Sequence, residues 1–431
     1  MNNLSLAVHF FFQIAVILSV SRVVGFIAAR LGQPQVVAEM IAGVCLGPSL
    51  FGLWLPEFQQ FIFPWDSSQS TRDTQSYLFP ASQLGLALYM FIVGLEFRVD
   101  IVRGNLKSSL AVSAAGMIAP FLLGAGLGLF FHRFTQLYPP RTSATEAAVF
   151  LGAAMCITAF PMLARIIHFK GLTGTLMGTV AIGAGAIDDA TAWCLLALVL
   201  ASFDRDPTQA AFSIGGGIAF VMVAGYVLRP LLARAERFLI SREGTLTDTG
   251  LVTGLTIMSL GAWFTDLIHL HAVFGAFVMG AIMPRGIMTR DLIARIQPLT
   301  VVLLLPLFFT YSGLNTKIGL LDTWYLWAMC GLVLIAAIVG KGGACWLAAR
   351  ATGLSNRDAL GIGTLMNARG LMELIIINIG LQRQLISEGL FAILVIMAVI
   401  TTLMASPIFD ALISKQDPAE LTQATDDRHL G

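Results

Sequence analysis

The sequence predicts an all-α protein that crosses a membrane about thirteen times. Of its 431 residues, 57% are hydrophobic and only 12% are charged, about half the charged fraction of a soluble domain. Apolar segments of roughly 20 residues, the length that a spanning helix needs, recur along the whole chain. Basic residues are concentrated in alternate loops between these segments, as the positive-inside rule requires.

The composition argues against several other classes of protein. A soluble enzyme, a nucleic-acid-binding protein and a disordered scaffold all need a larger polar or charged fraction. The net charge is +1, from 26 basic and 25 acidic residues, so no overall field attracts a polyanion. The five cysteines lie in apolar stretches without the spacing of a metal site or a disulfide framework, and no cofactor is expected.

The predicted spans follow one another closely within a transmembrane domain over residues 1–412. They cover roughly 5–30, 34–54, 81–97, 107–131, 145–168, 173–203, 210–232, 247–267, 270–285, 297–315, 324–350, 357–381 and 387–412. The stretch 55–80 contains prolines and a polar run and is expected to be a loop. Residues 413–431 are expected to form a short, disordered cytoplasmic tail.

The basic residues also predict the orientation. With the N-terminus outside, the inner loops carry sixteen Lys and Arg residues and the outer loops carry six. The chain should therefore begin outside the cell and end in the cytoplasm. Six spans, a connecting seventh and six more would place the two halves in opposite orientations, an arrangement typical of secondary transporters.

Polar residues occur at mid-membrane depth in four separate spans. Ionisable side chains at this depth are costly and are usually functional. The residues are Asp188 and Asp189 in the sixth span, Lys341 in the eleventh, Thr158 and Pro161 in the fifth, and Asn367, Arg369 and Gly370 in the twelfth. Their common level predicts a shared polar site.

The aspartate pair is the centre of this predicted site. Neighbours on a helix point about 100° apart, so one carboxylate can meet Lys341 while the other faces a cavity. Burial disfavours the charged form and a nearby cation favours it. A carboxylate balanced in this way can hold a proton or a small cation, but not both. The alternative is that an Asp–Lys pair merely ties helices together.

The fifth span contains a predicted break. Because Pro161 has no N–H, the carbonyl of Ile157 loses its helical partner, and the Thr158 hydroxyl lies one residue further on. Such oxygens are suitable ligands for Na⁺ or K⁺, and a broken helix is tolerated where it lines a cavity. An ordinary proline kink is the alternative. The expected metal ligands are therefore Asp189 and Asp188, with Thr158 and Ile157 contributing oxygens.

The twelfth span and the span ends carry further titratable residues. Arg369 and Glu373 are four residues apart and should form a buried pair that holds this helix open near Asn367 and Gly370. Glu39 lies one turn into the second span, as an interfacial acid or as part of a funnel through which ions reach the site. The histidines near span ends are expected to be interfacial rather than pH sensors; these are His9, His269 and His271.

Several motifs resemble those of the second monovalent cation:proton antiporter family, which includes bacterial sodium/proton antiporters, the Kef potassium-efflux systems and plant cation/proton exchangers. The resemblance covers about residues 5–412 and is carried by the order and spacing of the motifs. They are Ile41-Ala42-Gly43 through Gly47-Pro48, Met90 to Glu96, Thr158 to Pro161 with Leu163-Ala164-Arg165, Ile187-Asp188-Asp189, and Asn367 to Gly370 with Glu373-Leu374.

This resemblance implies a fold with two inverted six-helix repeats and two crossing, discontinuous helices, the fifth and the twelfth. It implies a core, about 107–203 and 324–412, that moves against a scaffold, about 5–97 and 247–315, with 210–232 as the linker helix. The scaffold would form a homodimer. By similarity, Asp189 is the principal carrier of cation and proton, Lys341 is the ion-pair partner of the aspartate site, and Thr158 is the polar residue of the crossing.

Two departures from the family pattern matter. The plant-like branch tends to carry Asn-Asp, whereas this chain has Asp188-Asp189, a pair that goes with electrogenic exchange in the family. The Kef systems carry a large nucleotide-binding domain, for which residues 415–431 are too short.

The expected function is secondary transport without enzymatic activity. The chain would exchange Na⁺ or K⁺ for protons by alternating access in a bacterial inner membrane. It would contact the lipid bilayer, and no nucleic acid is expected to bind it. A cation-coupled symporter of an organic anion and a cation channel are the alternatives. An intramembrane aspartyl protease is disfavoured, because its two carboxylates must face each other from separate helices.

Overall fold

The structure is a computed structural model. It describes the chain except residues 1–2, 32, 34, 49, 64–71, 98–104, 173, 205–206, 243, 269, 315–320, 322 and 414–431. Some residues of the sequence analysis lie outside this described part. They are the histidine at 269, the predicted tail beyond 413, and five of the basic residues counted in the loops, namely Arg98, Arg103, Arg205, Lys317 and Lys415.

The described residues form twenty α-helices joined by three π-helical segments. In the first half these are α1 Asn3–Arg30, α2 Gln35–Leu46, α3 Phe51–Trp54, α4 Pro56–Ile62, α5 Arg72–Glu96, α6 Leu106–Phe134, α7 Ala144–Cys156, α8 Phe160–Phe169, α9 Leu176–Asp204, α10 Pro207–Val223 and, after the π segment Ala224–Leu228, α11 Arg229–Leu239. In the second half they are α12 Asp248–Leu267, α13 Ala272–Ala281, α14 Ile287–Leu299, the π segment Thr300–Leu304, α15 Leu305–Leu314, α16 Trp324–Ile338, the π segment Val339–Gly343, α17 Ala344–Ala351, α18 Asn356–Leu365, α19 Leu371–Gln382 and α20 Glu388–Ile413.

The prediction of an all-helical membrane protein is confirmed. The β pairing among the described residues is a single isolated bridge between Ile240 and Leu246. Helices lie in all thirteen predicted spans. By length and composition, nine helices of the described part are able to cross a membrane, so the exact number of crossings stays a prediction.

The expectation of a loop over 55–80 was wrong. The short helix α4 begins at Pro56, and α5 begins at Arg72, well before the predicted span at 81. Proline at the first helical position costs no hydrogen bond and has a suitable φ angle, which explains why α4 starts there. Hydropathy marks only the apolar part of a helix, whereas α5 continues into polar residues that hydropathy does not detect.

The helices pack as two groups. In the first group α1 packs on α2, α2 and α5 pack on α15, and α5 and α12 pack on α13. In the second group α6 packs on α7, α9 and α17, and α16, α18 and α19 pack on α20. The groups meet where α2 contacts α8 and α20. This arrangement leaves the second group attached to the first through few helix pairs.

Glycines allow very close helix contacts within the first group. A Cβ atom added to Gly313 on α15 would lie 2.0 Å from the carbonyl oxygen of Gly43 on α2. A Cβ added to Gly94 on α5 would lie 2.2 Å from the carbonyl oxygen of Phe277 on α13. Small residues at such interfaces are the usual means by which membrane helices gain packing energy.

Replacing Gly313 with alanine is expected to destabilise the protein. The methyl group would meet backbone atoms of α2 that cannot rotate away, and overpacking of this kind costs about 1–3 kcal/mol. Thermal melting of the purified protein in detergent checks this prediction. Gly331→Ala is the matched control, because a Cβ at Gly331 meets nothing within 4 Å. Equal melting temperatures for the two variants would contradict the prediction.

Two helix breaks cross at the centre of the second group. The chain leaves helical structure over Ile157–Ala159, between α7 and α8, and over residues 366–370, between α18 and α19. The two breaks are joined by a backbone hydrogen bond of 3.3 Å from Ala159 N to Ala368 O. Helix α7 contacts α19 and α8 contacts α18, so the four half-helices emerge in pairs on opposite sides of the crossing.

Candidate cation and proton site

Asp188 and Lys341 form a buried ion pair beside the crossing. Asp188 lies near the middle of α9, and Lys341 lies in the π segment between α16 and α17. Neither side chain is exposed, and Lys341 Nζ lies 3.5 Å from Asp188 Oδ2. The sequence left open which aspartate pairs with Lys341, and in the structure this partner is Asp188.

Two hydroxyl groups complete the surroundings of Asp188. Ser113 Oγ on α6 donates to Oδ1 over 2.6 Å, and Thr158 Oγ1 at the break donates to Oδ2 over 2.5 Å. Hydrogen bonds to a carboxylate stabilise its charged form and offset the cost of burial. Sequence reasoning missed Ser113; its signal was a single serine about two turns into an otherwise apolar helix.

Lys341 also binds the backbone of two other helices. Its Nζ donates to the carbonyl oxygen of Gly116 over 3.1 Å and to that of Cys156, the last residue of α7. The final carbonyls of a helix have no partner within it and carry partial negative charge. Lys341 therefore joins α6, α7 and α9 at one point. Its π turn, a feature often found at functional sites, was not predicted.

Asp189 follows Asp188 on α9 and is also buried, with 1% of its surface exposed. Adjacent positions on a helix point about 100° apart, so Asp189 faces a different direction from its neighbour. Asp188 accepts from Ser113, Thr158 and Lys341, and Asp189 projects in another direction from the same buried level.

Arg369 supports the crossing from the other break. Its Nη2 donates to Met155 O over 2.6 Å and its Nη1 to Ala154 O over 3.3 Å. The same Nη1 lies 3.2 Å from Glu373 Oε1, one turn further along α19. The side chains of Arg369 and Glu373 are both buried. Arg369 and Lys341 together neutralise the negative end of α7.

The remaining predicted residues lie at the breaks. Ile157 ends α7 in an extended conformation, and Pro161 occupies the first turn of α8, where proline is well tolerated. Gly370 is the N-cap of α19. Asn367 Nδ2 donates to Gly363 O over 3.2 Å, and its buried Oδ1 has no hydrogen-bond partner in the described part of the chain. The carbonyls of Ala154, Met155 and Cys156 at the end of α7 accept from Arg369 and Lys341. The ligand role expected for the Ile157 carbonyl stays a prediction.

Two cavities lie between the helix groups, on opposite sides of the crossing. The first has a volume of about 510 Å³ and lies against α8, where Arg165 and His168 face Tyr89 and Glu96 of α5. Arg165 Nε donates to Tyr89 Oη over 2.7 Å. The second has a volume of about 200 Å³ and lies against α19. We call them the α8 cavity and the α19 cavity.

Glu39 lies close to the α8 cavity but is nearly enclosed, with 2% of its surface exposed. The lining of the cavity includes Gln35, one turn earlier on α2. Glu39 interacts electrostatically with Arg165 and hydrogen-bonds to Gln35. Its Oε2 has no hydrogen-bond partner within the described residues. An acid in this position lies behind the cavity wall.

Comparison with known proteins agrees with this arrangement. The family model for the transmembrane part of sodium/hydrogen exchangers matches residues 15–415. The Na⁺/H⁺ antiporter NhaS4 of Synechocystis sp. is 40% identical over 400 residues, covering 92% of this chain and 95% of that protein. Cation/H⁺ antiporter 20 of Arabidopsis thaliana is 33% identical over 405 residues, covering 92% of this chain. The chain spans about half of that plant protein, 47% of its length.

A solved structure shares the fold. The sodium proton antiporter MjNhaP1 from Methanocaldococcus jannaschii at pH 8 superposes with a TM-score of 0.60 at 13% sequence identity, over 94% of this chain and 99% of that one. This likeness shows that the fold is shared over nearly the full length of both chains. With the family match over residues 15–415, it follows that the chain belongs to the sodium/hydrogen exchanger transmembrane family.

Proposed function

We propose that the chain exchanges a monovalent cation, Na⁺ or K⁺, for protons across the membrane and that Asp189 is the carrier of both. The observation that carries this proposal is a second buried carboxylate, that of Asp189, beside the ion pair of Asp188 and Lys341. Lys341 already balances one of the two acidic groups, and a second buried negative charge needs an occupant that neutralises it. The relatives named for sodium/proton and cation/proton antiport support the same chemistry.

The competition for Asp189 follows from its burial. A charged carboxylate away from water needs a counter-charge, and either a proton or an alkali metal ion supplies it. Both cannot bind at once, because the second would leave a net positive charge in the same apolar surroundings. Release of one occupant therefore requires arrival of the other, which is the condition for coupled exchange.

Alternating access would come from movement between the two helix groups. The second group, with α6–α9 and α16–α20, would be the moving core, and α1, α2, α5 and α12–α15 the scaffold. The α8 and α19 cavities would be the approaches from opposite sides. Glu39, which lies behind Gln35, would then modulate the electrostatic potential at the α8 cavity, the approach from the inner side. Rigid-body rocking of one helix bundle around a fixed mid-membrane site is the common mechanism in such transporters.

The surroundings of the protein belong to the same proposal. The chain would lie in a bacterial inner membrane with its N-terminus outside and its C-terminus in the cytoplasm, as the distribution of basic residues favours. The scaffold helices would form the contact of a homodimer. Apolar side chains exposed along α1, among them Phe11 and Phe26, suit either lipid or a second copy.

Reconstitution in proteoliposomes tests the proposed exchange. Addition of Na⁺, K⁺ or Li⁺ to liposomes with a preset pH gradient should collapse that gradient through the wild-type chain and not in empty liposomes. Repeating the measurement under an imposed voltage separates electrogenic from electroneutral coupling. Cation flux that moves no protons at any pH would reject the proposal in favour of a channel, and flux that requires an organic anion would favour a symporter.

A further inference from the structure

A proline inside α6 leaves a backbone oxygen without its helical donor. Pro120 lies within this helix and is buried. Because proline has no N–H, the carbonyl of Gly116, four residues earlier, cannot form its usual hydrogen bond along the helix. A buried carbonyl of this kind needs another donor. Lys341 supplies it, since its Nζ donates to Gly116 O over 3.1 Å.

This bond completes the hydrogen bonding of the Lys341 ammonium. An ammonium group has three protons to donate and no acceptor. The acceptors that the structure describes for it are Gly116 O, Cys156 O and, at 3.5 Å, Asp188 Oδ2. A buried charge is costly unless it is paired and its hydrogen bonds are made. Asp188 supplies the counter-charge, and two carbonyls that lack a helical donor supply the other acceptors, one at the end of α7 and one freed by Pro120.

The packing of α6 brings this proline against the π segment that carries Lys341. A Cβ atom added to Gly340 would lie 3.5 Å from Pro120 Cα. A Cβ added to Gly116 would lie 2.5 Å from the Sγ of Cys345, one turn beyond Lys341. Glycine at these two positions therefore allows the two backbones to approach closely. The side chain of Lys341 can then reach the freed carbonyl without leaving Asp188.

Another helix of the second group uses a proline in the same way. Pro407 lies inside α20, and the carbonyl that it deprives of a donor is that of Leu403. Gln33, in the connection between α1 and α2, donates from Nε2 to Leu403 O over 3.0 Å. In both helices a side chain distant in sequence replaces the missing backbone donor. These prolines therefore create acceptors for long-range contacts, in addition to any bend that they impose.

We propose that Pro120 is a positioning residue for the exchange. It frees the Gly116 carbonyl, and that carbonyl helps to hold the Lys341 ammonium on Asp188. This inference rests on the exchange proposed above. An ammonium that lost this acceptor would be held less closely on Asp188. The negative charge left uncompensated there would strengthen the attraction of the neighbouring Asp189 for its cation.

The variant Pro120→Ala tests this role. Alanine restores the N–H, which can bond to Gly116 O within α6, and it favours a helix more than proline does, so the fold should be retained. The measurement is KM and kcat for Na⁺ (K⁺ if the wild type exchanges only K⁺) in proteoliposomes at about pH 8.5, so that few protons compete with the cation. Because tighter binding slows release, KM and kcat should both fall about threefold, with kcat/KM within about twofold of the wild type.

Pro80→Ala is the matched control, because Pro80 is an exposed proline inside α5 of the first group. It should keep the KM and kcat of the wild type. A smaller number of correctly folded molecules would lower kcat and leave KM unchanged. A KM for Pro120→Ala that equals or exceeds that of the wild type would therefore overturn the inference, whatever the value of kcat.

Thermal melting in detergent provides a test that needs no transport. In the wild type, Pro120→Ala gains a helical hydrogen bond but weakens the contact of Lys341. In a background with Lys341→Met and Asp188→Asn, the gain remains and there is no ammonium contact to lose. The melting temperature should therefore rise by at least ~2 °C more in this background than in the wild type. Pro80→Ala should shift both melting temperatures equally.

Equal shifts for Pro120→Ala in the two backgrounds would overturn the inference. The melting comparison also separates it from the proposed function. A wild type that exchanges no cation would refute the proposed function, while melting would still show whether Pro120 acts through Lys341.

Discussion

Asp189→Asn is expected to abolish cation:proton exchange while leaving the fold intact. Asparagine has nearly the same volume as aspartate but cannot release a proton or neutralise a bound cation. Because the side chain is buried, no water-exposed acid takes over its role. The measurement is the collapse of a pH gradient in everted vesicles on addition of Na⁺ or K⁺, which should fall to the level of vesicles without the protein.

Two further variants make this prediction specific. Asp248→Asn is the matched control, since the side chain of Asp248 is 98% exposed, and it should retain full exchange. Asp188→Asn should instead lower the melting temperature, because it leaves the buried charge of Lys341 without its counter-ion. Retained exchange by Asp189→Asn together with loss by Asp188→Asn would reverse the two assigned roles.

Arg369→Met is expected to have the largest effect on stability. The guanidinium bonds to Ala154 O, Met155 O and Glu373, and none of these groups has access to water to replace it. Removing one partner of a buried ion pair typically costs about 3–5 kcal/mol, because the other charge remains buried. The purified variant should melt far below the wild type or fail to be recovered in folded form.

A double substitution separates charge from packing in this prediction. Arg369→Met with Glu373→Gln removes the stranded carboxylate and should recover part of the lost stability. Arg141→Met is the control, because its side chain is exposed and a change within about 0.5 kcal/mol is expected. A single variant that melts with the wild type would show that Arg369 does not hold the crossing.

Much of the architecture was readable from local patterns. Hydropathy located the helices because each span must satisfy its backbone within itself, and this requirement is met by consecutive residues. The break before Pro161 follows from the missing N–H of one residue. The wrong prediction of a loop over 55–80 also follows from the use of hydropathy. Helix α4 and the start of α5 do not need an apolar sequence, so hydropathy does not detect them.

The contacts of the site were beyond such patterns. Ser113 reaches Asp188 across 75 residues and Lys341 reaches Gly116 across 225, so no local spacing connects them. Sequence reasoning treated Asp188 and Asp189 as a pair with one available cation, and it expected freed carbonyls to serve a metal ion. In the folded chain Lys341 and Arg369 bind the carbonyls of Ala154, Met155 and Cys156 at the end of α7, contacts that the sequence did not predict.

The sequence by itself determined that this is a helical membrane protein with acidic groups at mid-membrane depth, because the bilayer imposes its apolar length and its penalty for charge on every span separately. Only the tertiary structure decided which carboxylate meets the lysine and where the helix ends find their counter-charges. Those features depend on how distant helices are brought together, and packing across the fold, not composition along it, sets that arrangement.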